Sequence, residues 1–171
     1  MLLENMPQHK FETRNEVNME SGCFNKGKIH ILRIDPGEDV LVSVRKFLCD
    51  RKIAQAIVLG GYGTLSEYHL HWVTRGTLPS RNAFGKGKGG IEILGMNGLI
   101  VGGEPHIHVS LSTRKGAFGG HMEDGCRAYV VCEIFFLELK GRKLTRKSTP
   151  VNIPGMGRGQ VQRLIFGKEK P

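Results

Sequence analysis

Residues 29–52, IHILRIDPGEDVLVSVRKFLCDRK, change their period halfway along. Ile29, Ile31 and Ile34 belong to a short β-prone run that stops at Asp35-Pro36-Gly37, a turn signal because proline presets φ and glycine accepts conformations other residues avoid. Glu38 and Asp39 then open a helix, where negative charge complements the amide dipoles of a first turn. Val40, Val44, Phe47 and Leu48 recur at helical spacing, and Arg45, Lys46, Arg51 and Lys52 gather toward the C-terminal end. This is the one main helix that the sequence predicts.

Beyond it the pattern is that of strands. Ile53 to Leu59 and Leu65 to Val73 read as strands around a turn or bulge at Gly60-Gly61-Tyr62-Gly63, and residues 74–90 as a polar, glycine-rich loop. Ile91 to Gly95, Leu99 to Val101, Pro105 to Ser112, His121 to Gly125 and Ala128 to Leu139 complete the set. Twenty-four glycines, about twice the usual share, fit many turns between short strands. The expected class is α+β, a mostly antiparallel sheet with one main helix.

A chain of 171 residues and 19.0 kDa is the size of one domain. Hydrophobic residues at 39% and charged residues at 24% exclude a largely disordered chain, and no apolar run approaches the ~20 residues of a membrane helix. Cys23, Cys49, Cys126 and Cys132 are too scattered for a disulfide framework, and Met1 to Phe11 lack the pattern of a secretory signal. A reducing, cytoplasmic setting without membrane contact is the expectation.

The organisation predicted is an N-terminal arm (1–27), a folded body (28–144) and a basic C-terminal tail (145–171). The net charge of +9 is concentrated at the end: residues 140–171 hold nine basic groups against Glu169 alone. Such a segment suits nonspecific contact with nucleic acid by counterion release, or simply a solvated tail. The run Gly85-Lys86-Gly87-Lys88-Gly89-Gly90 has the composition of a phosphate cradle but lacks the GKS or GKT ending, and reads as a flexible basic loop.

The stretch with most chemistry is Gly103-Glu104-Pro105-His106-Ile107-His108. On a strand, His106 and His108 project from the same face about 6–7 Å apart, a spacing that lets two imidazoles close on one ion. A polar turn follows, and Gly119-Gly120-His121 returns antiparallel with a third imidazole. A lone pair of this kind is ordinarily a surface feature; the return histidine makes a metal site the better reading. Three His ligands with an open position describe a catalytic zinc site, although imidazole also suits other divalent transition metals. The glycines at 119 and 120 allow close backbone approach. Glu104, Glu123 and Asp124 are candidates for orienting an imidazole or moving a proton.

His69 and His71 share the spacing but have no return histidine, so they read as a sheet face lining a cavity. Cys126 and Cys132 read as small buried residues. Glu133 needs a partner if buried, and Arg33 is suited either to pair with it or to bind a carboxylate ligand. Together these residues predict a zinc-dependent lyase or hydrolase acting on a small anionic molecule, with Glu104, Glu123 and Arg33 as catalytic candidates. The alternative is a regulatory protein that contacts DNA through its basic tail.

From Lys28 to Lys140 the chain resembles the plants-and-prokaryotes conserved (PPC or PCC) domain family. The carriers are residues 32–40 (LRIDPGEDV), 58–63 (VLGGYG), 91–95 (IEILG), and the Gly103–His108 and Gly119–His121 segments. The resemblance implies a strongly bent antiparallel sheet like that of acetolactate decarboxylase, a homotrimer, and His106, His108 and His121 as metal ligands. In plants the domain accompanies an AT-hook; here Gly157-Arg158-Gly159-Gln160 lacks that motif's second arginine and its proline.

Overall fold

The computed structural model describes residues 19–169. A first strand, β1 (Asn25–Arg33), leads through the Asp35–Gly37 turn into α1 (Val40–Asp50). Asp39 caps the helix: its Oδ1 accepts from the Val42 amide at 3.1 Å, and its Oδ2 accepts from Gly125 N–H at 2.5 Å, tying the helix to a distant loop. Val40, Leu41, Val44 and Leu48 are buried beneath α1, and Phe47 stacks on Phe136 at 5.6 Å. Replacing the fully enclosed Leu48 by alanine is expected to cost about 2–5 kcal/mol, read from urea denaturation.

Then come β2 (Gln55–Val73), β3 (Asn82–Val101), β4 (Glu104–Thr113), β5 (Gly116–Met122) and β6 (Arg127–Lys140). The sheet order is β1-β6-β2-β3-β4-β5, every pairing is antiparallel, and β5 also pairs with the far end of β2. The sheet therefore curls until β2, β3, β4 and β5 close on one another. One face carries Phe136, Val58 and Ile107 into the core with α1. On the opposite face, Ile29, Leu137, Ile57, Leu99 and His106 lie in register across five strands, a mostly apolar row that ends in a histidine.

Three expectations change. The strands divided at residues 60–63 and 96–98 are continuous, with bulges absorbing the glycines. The segment expected as a loop is strand from Asn82 onward, because its glycines seat aromatic rings of β2: a Cβ at Gly85 would lie 2.7 Å from the Trp72 ring, and one at Gly87 would meet Tyr68. Only residues 74–81 remain outside the strands there. The basic C-terminal segment is an antiparallel hairpin, β7 (Arg142–Ile153) with β8 (Gly157–Glu169).

That hairpin is fastened at both ends. Near its base Leu144 is buried and its amide donates to Gln55 Oε1 at 2.8 Å; near its tip the Leu78 amide donates to the Met156 carbonyl at 2.7 Å. It thus runs from the start of β2 to the loop beyond its end. Residues 1–18 of the expected N-terminal arm, His9 among them, lie outside the described residues.

Candidate metal centre

Cross-strand register assembles the centre. His108 of β4 lies directly opposite His121 of β5, and His121 lies directly opposite His71 of β2, so three imidazoles stand in one row. His106 joins from two residues along β4. Ring centroids separate by 4.5 Å for His106 and His121, by 5.3 Å for His108 and His121, and by 4.3 Å for His71 and His121. The donor atoms of His106, His108 and His121 all lie within 4.8 Å of one another, and the same holds for His71, His121 and Glu123.

The close approach depends on residues without side chains. A Cβ on Gly119 would sit 2.5 Å from the Val109 carbonyl, and one on Gly120 would sit 2.8 Å from Trp72 Nε1 and 2.9 Å from the His71 carbonyl. The Trp72 indole N–H donates to the Gly119 carbonyl and locks this crossing of β5 over β2. Gly98 is likewise required, since its Cβ would strike the His106 carbonyl.

The electrostatics favour neutral imidazoles, the form that binds a cation. Burial pushes His121 down from 6.5 to about 4, with the neighbouring His106 and His71 adding to the effect. His106 is also lowered, first by burial and next by the positive charge of Arg146. An unfolded chain takes up the His121 proton first, so metal-free protein should lose stability as pH falls from about 6.5 to about 4. Melting curves across that window test this: the midpoint should fall, and fall less for His121→Gln.

Glu123 is the one catalytic candidate that reaches the cluster. Its Oε1 lies 2.5 Å from His71 Nδ1, and since a carboxylate accepts, Nδ1 donates this hydrogen bond and the ring is held in place. The Glu104 carboxylate is instead taken by Arg45 of α1 at 2.9–3.2 Å, and the same guanidinium holds Asp124 at 2.7 Å. Arg33 is on the edge strand β1, paired with Asp35 at 3.0 Å, and β6 lies between it and β2, the nearest strand that carries a histidine of the cluster. Glu133 takes its hydrogen bond from the Tyr62 hydroxyl at 2.5 Å, not from Arg33, although Arg33 is its register partner.

His71 is the addition that sequence reasoning missed. Its return histidine exists: it is His121 itself, shared between two strand pairings. His69, pointing the same way, donates from Nδ1 to the Asp124 carbonyl at 2.7 Å and stays outside the cluster. Cys126 and Cys132 are buried free thiols raised by desolvation to about 11 and about 12, which makes them poor ligands and poor nucleophiles. His30 pairs with Glu138 at 2.9 Å, away from the cluster on the β1 edge.

Among solved structures, the chain is similar to a plant- and prokaryote-conserved protein from Pyrococcus horikoshii, at 32% identity, over 82% of this chain and 96% of that one, with a TM-score of 0.64. A metal-containing protein from Archaeoglobus fulgidus shares the fold at 24% identity, with the same coverage and a TM-score of 0.66. The curated protein GlmU, described as bifunctional, of a Synechococcus species is 25% identical over 126 residues. This chain spans about a fifth of the length of the curated relatives it matches. The Plants and Prokaryotes Conserved (PCC) domain matches residues 21–140, which contain the whole histidine cluster and stop just before the C-terminal hairpin. With that span, that sheet and a relative at nearly one-third identity, the chain belongs to the PCC domain family.

Proposed function

We propose that this protein holds one divalent transition metal, zinc above all, on His106, His108 and His121, and acts on a small anionic molecule as a lyase or hydrolase. The observation that carries this reading is the convergence of three imidazoles from two paired strands within 4.8 Å, with burial keeping His121 neutral. The donor set fits: neutral nitrogen ligands suit zinc and its neighbours in the series, and only three ligands leave a position open. The description of the Archaeoglobus relative as metal-containing supports it further. When bound, such an ion supplies Lewis-acid polarisation to an oxygen of the small molecule.

The protein's own groups do the rest. Glu123 holds the His71 ring through Nδ1, and His71 stands beside His121, where its other ring nitrogen is placed to accept a proton from the small molecule and return it. Arg45 holds Glu104 and Asp124 and so keeps the strand ends around the cluster in place. Metal analysis after exhaustive dialysis tests the reading: about one equivalent should remain, and the His106/His108/His121 triple alanine variant should retain none. Dialysed protein without metal, or a triple variant that keeps it, overturns the reading.

The assembly proposed is a homotrimer. Ile29, at the start of the apolar row that ends at His106, and Ile31, two residues along on the same face of β1, are exposed at 68% and 69%, and Tyr129, Val130 and Val131 are exposed on β6. Surfaces of this kind mark subunit contacts. Sedimentation equilibrium should give three times the 19.0 kDa chain mass, and Ile31→Lys should shift it toward the monomer.

A second reading has its own observation. Lys147 and Arg163 face each other directly across β7 and β8, an arrangement that costs energy unless an anion lies between or beside them. Contact with a nucleic-acid backbone would satisfy it. Replacing Lys147 and Arg163 should then lower the slope of log affinity against log salt by about one per residue.

A further inference from the structure

A second set of donors stands on the other side of His121. β5 runs between β4 and β2, so His108 and His71 flank His121 from opposite strands, two strand spacings or ~10 Å apart at the backbone. His71, His121 and Glu123 bring their donor atoms within 4.8 Å of one another, as closely as the three histidines on the β4 side. Two imidazoles and one carboxylate are a donor set that zinc accepts. Its members are held in position. The Glu123 amide donates to the His69 carbonyl at 3.0 Å, and the Phe84 ring lies 5.5 Å from that of His71 between centroids.

Charge distinguishes Glu123 from its neighbours. Glu104 and Asp124 are neutralised by Arg45, and Glu67 by Lys88. Among the described residues Glu123 has no lysine or arginine partner; its contact is the His71 imidazole at 2.5 Å. A carboxylate beside neutral imidazoles gives the β2 side of the row a negative charge that the β4 side, made of imidazoles alone, lacks. The His71 and Glu123 side chains are 18% and 31% exposed, enclosed enough to hold an ion and open enough for one to arrive.

We infer that His71, Glu123 and His121 form a second divalent-cation position, on the β2 side of the row. It is weaker than the three-histidine position because a first ion repels a second, and because His121 serves both only by releasing its remaining ring proton to solvent and bridging the ions through its two nitrogens. The second ion therefore leaves on dialysis while the first stays. An ion on the His71 ring leaves neither of its nitrogens free to accept a proton, since one binds the metal and the other keeps the ring's own proton. Excess metal thus switches off the proton transfer assigned to His71. That consequence rests on the metalloprotein reading, whereas the cation position stands on its own three donors.

Calorimetric titration of dialysed, full-length protein with zinc, with total metal measured alongside, tests the inference. A second equivalent should bind at least about tenfold more weakly than the first. Glu123→Gln and His71→Ala should each weaken that second equivalent at least tenfold further, with the first equivalent and the circular dichroism unchanged. Glu67→Gln, whose carboxylate belongs to Lys88, should alter neither equivalent. Binding that stops at one equivalent and survives Glu123→Gln overturns the inference, as does a second equivalent that both variants bind as the parent does. A single equivalent that is lost in Glu123→Gln but kept by a His106/His108 double alanine variant sustains this cation position and removes the three-histidine reading instead. A protein that binds no zinc at all overturns both.

Discussion

Replacing His121 by alanine is expected to weaken metal binding at least about 100-fold, more than the same change at any other member of the cluster. His121 is the hinge of the arrangement: it faces His108 across one pairing and His71 across another, and it belongs to both groups of convergent donors. Loss of His106 or His108 leaves two imidazoles on adjacent strands, with His71 still close to His121. Loss of His121 leaves a pair on β4 and an isolated ring on β2. Competition with a chromophoric chelator measures the difference. A His121→Ala protein that binds as tightly as His71→Ala would show that the ion, if present, is held elsewhere.

Gly119→Ala should damage both fold and centre. Its Cβ would lie 2.5 Å from the Val109 carbonyl and 3.3 Å from Ser110 Cα, both backbone atoms that no side-chain rotation relieves. Separating β4 from β5 costs about 1–3 kcal/mol by the usual penalty for overpacking, and it moves His121 away from His108. Metal affinity should fall at least tenfold with the stability, as misplacement by an ångström is enough to disrupt a converging set. Gly95→Ala is the control, since nothing lies within 4 Å of its Cβ and its φ is ordinary. It should stay within about 0.5 kcal/mol of the parent. Equal effects of the two substitutions in urea denaturation would remove close strand approach from the account.

What could be read from the sequence was local. The Asp35–Gly37 turn and the spacing of Val40, Val44 and Leu48 announce the helix because both depend on neighbours within one or two turns. His106 and His108 are legible as a pair for the same reason, and Gly119-Gly120-His121 because a short hairpin returns it. His71 was hidden because its partner comes from the closure of the sheet, β5 reaching β2 across 50 residues. Glu104 stands two residues from His106 yet is claimed by Arg45 from a helix 59 residues earlier, a capture that adjacency does not disclose. The glycines of residues 85–90 looked like a loop since their use, seating Trp72 and Tyr68, exists only once β2 lies alongside. The basic C-terminal segment concealed its hairpin because charge is distributed over both faces of β7 and β8 and masks the alternation.

The most direct measurement is X-ray absorption at the metal edge on dialysed, full-length protein, with His71→Ala and His121→Ala alongside. The account predicts a first shell containing three imidazoles and at least one lighter non-protein scatterer, unchanged in number by His71→Ala and reduced by His121→Ala. A shell filled by four protein ligands, or one that keeps its imidazole count without His121, would contradict it.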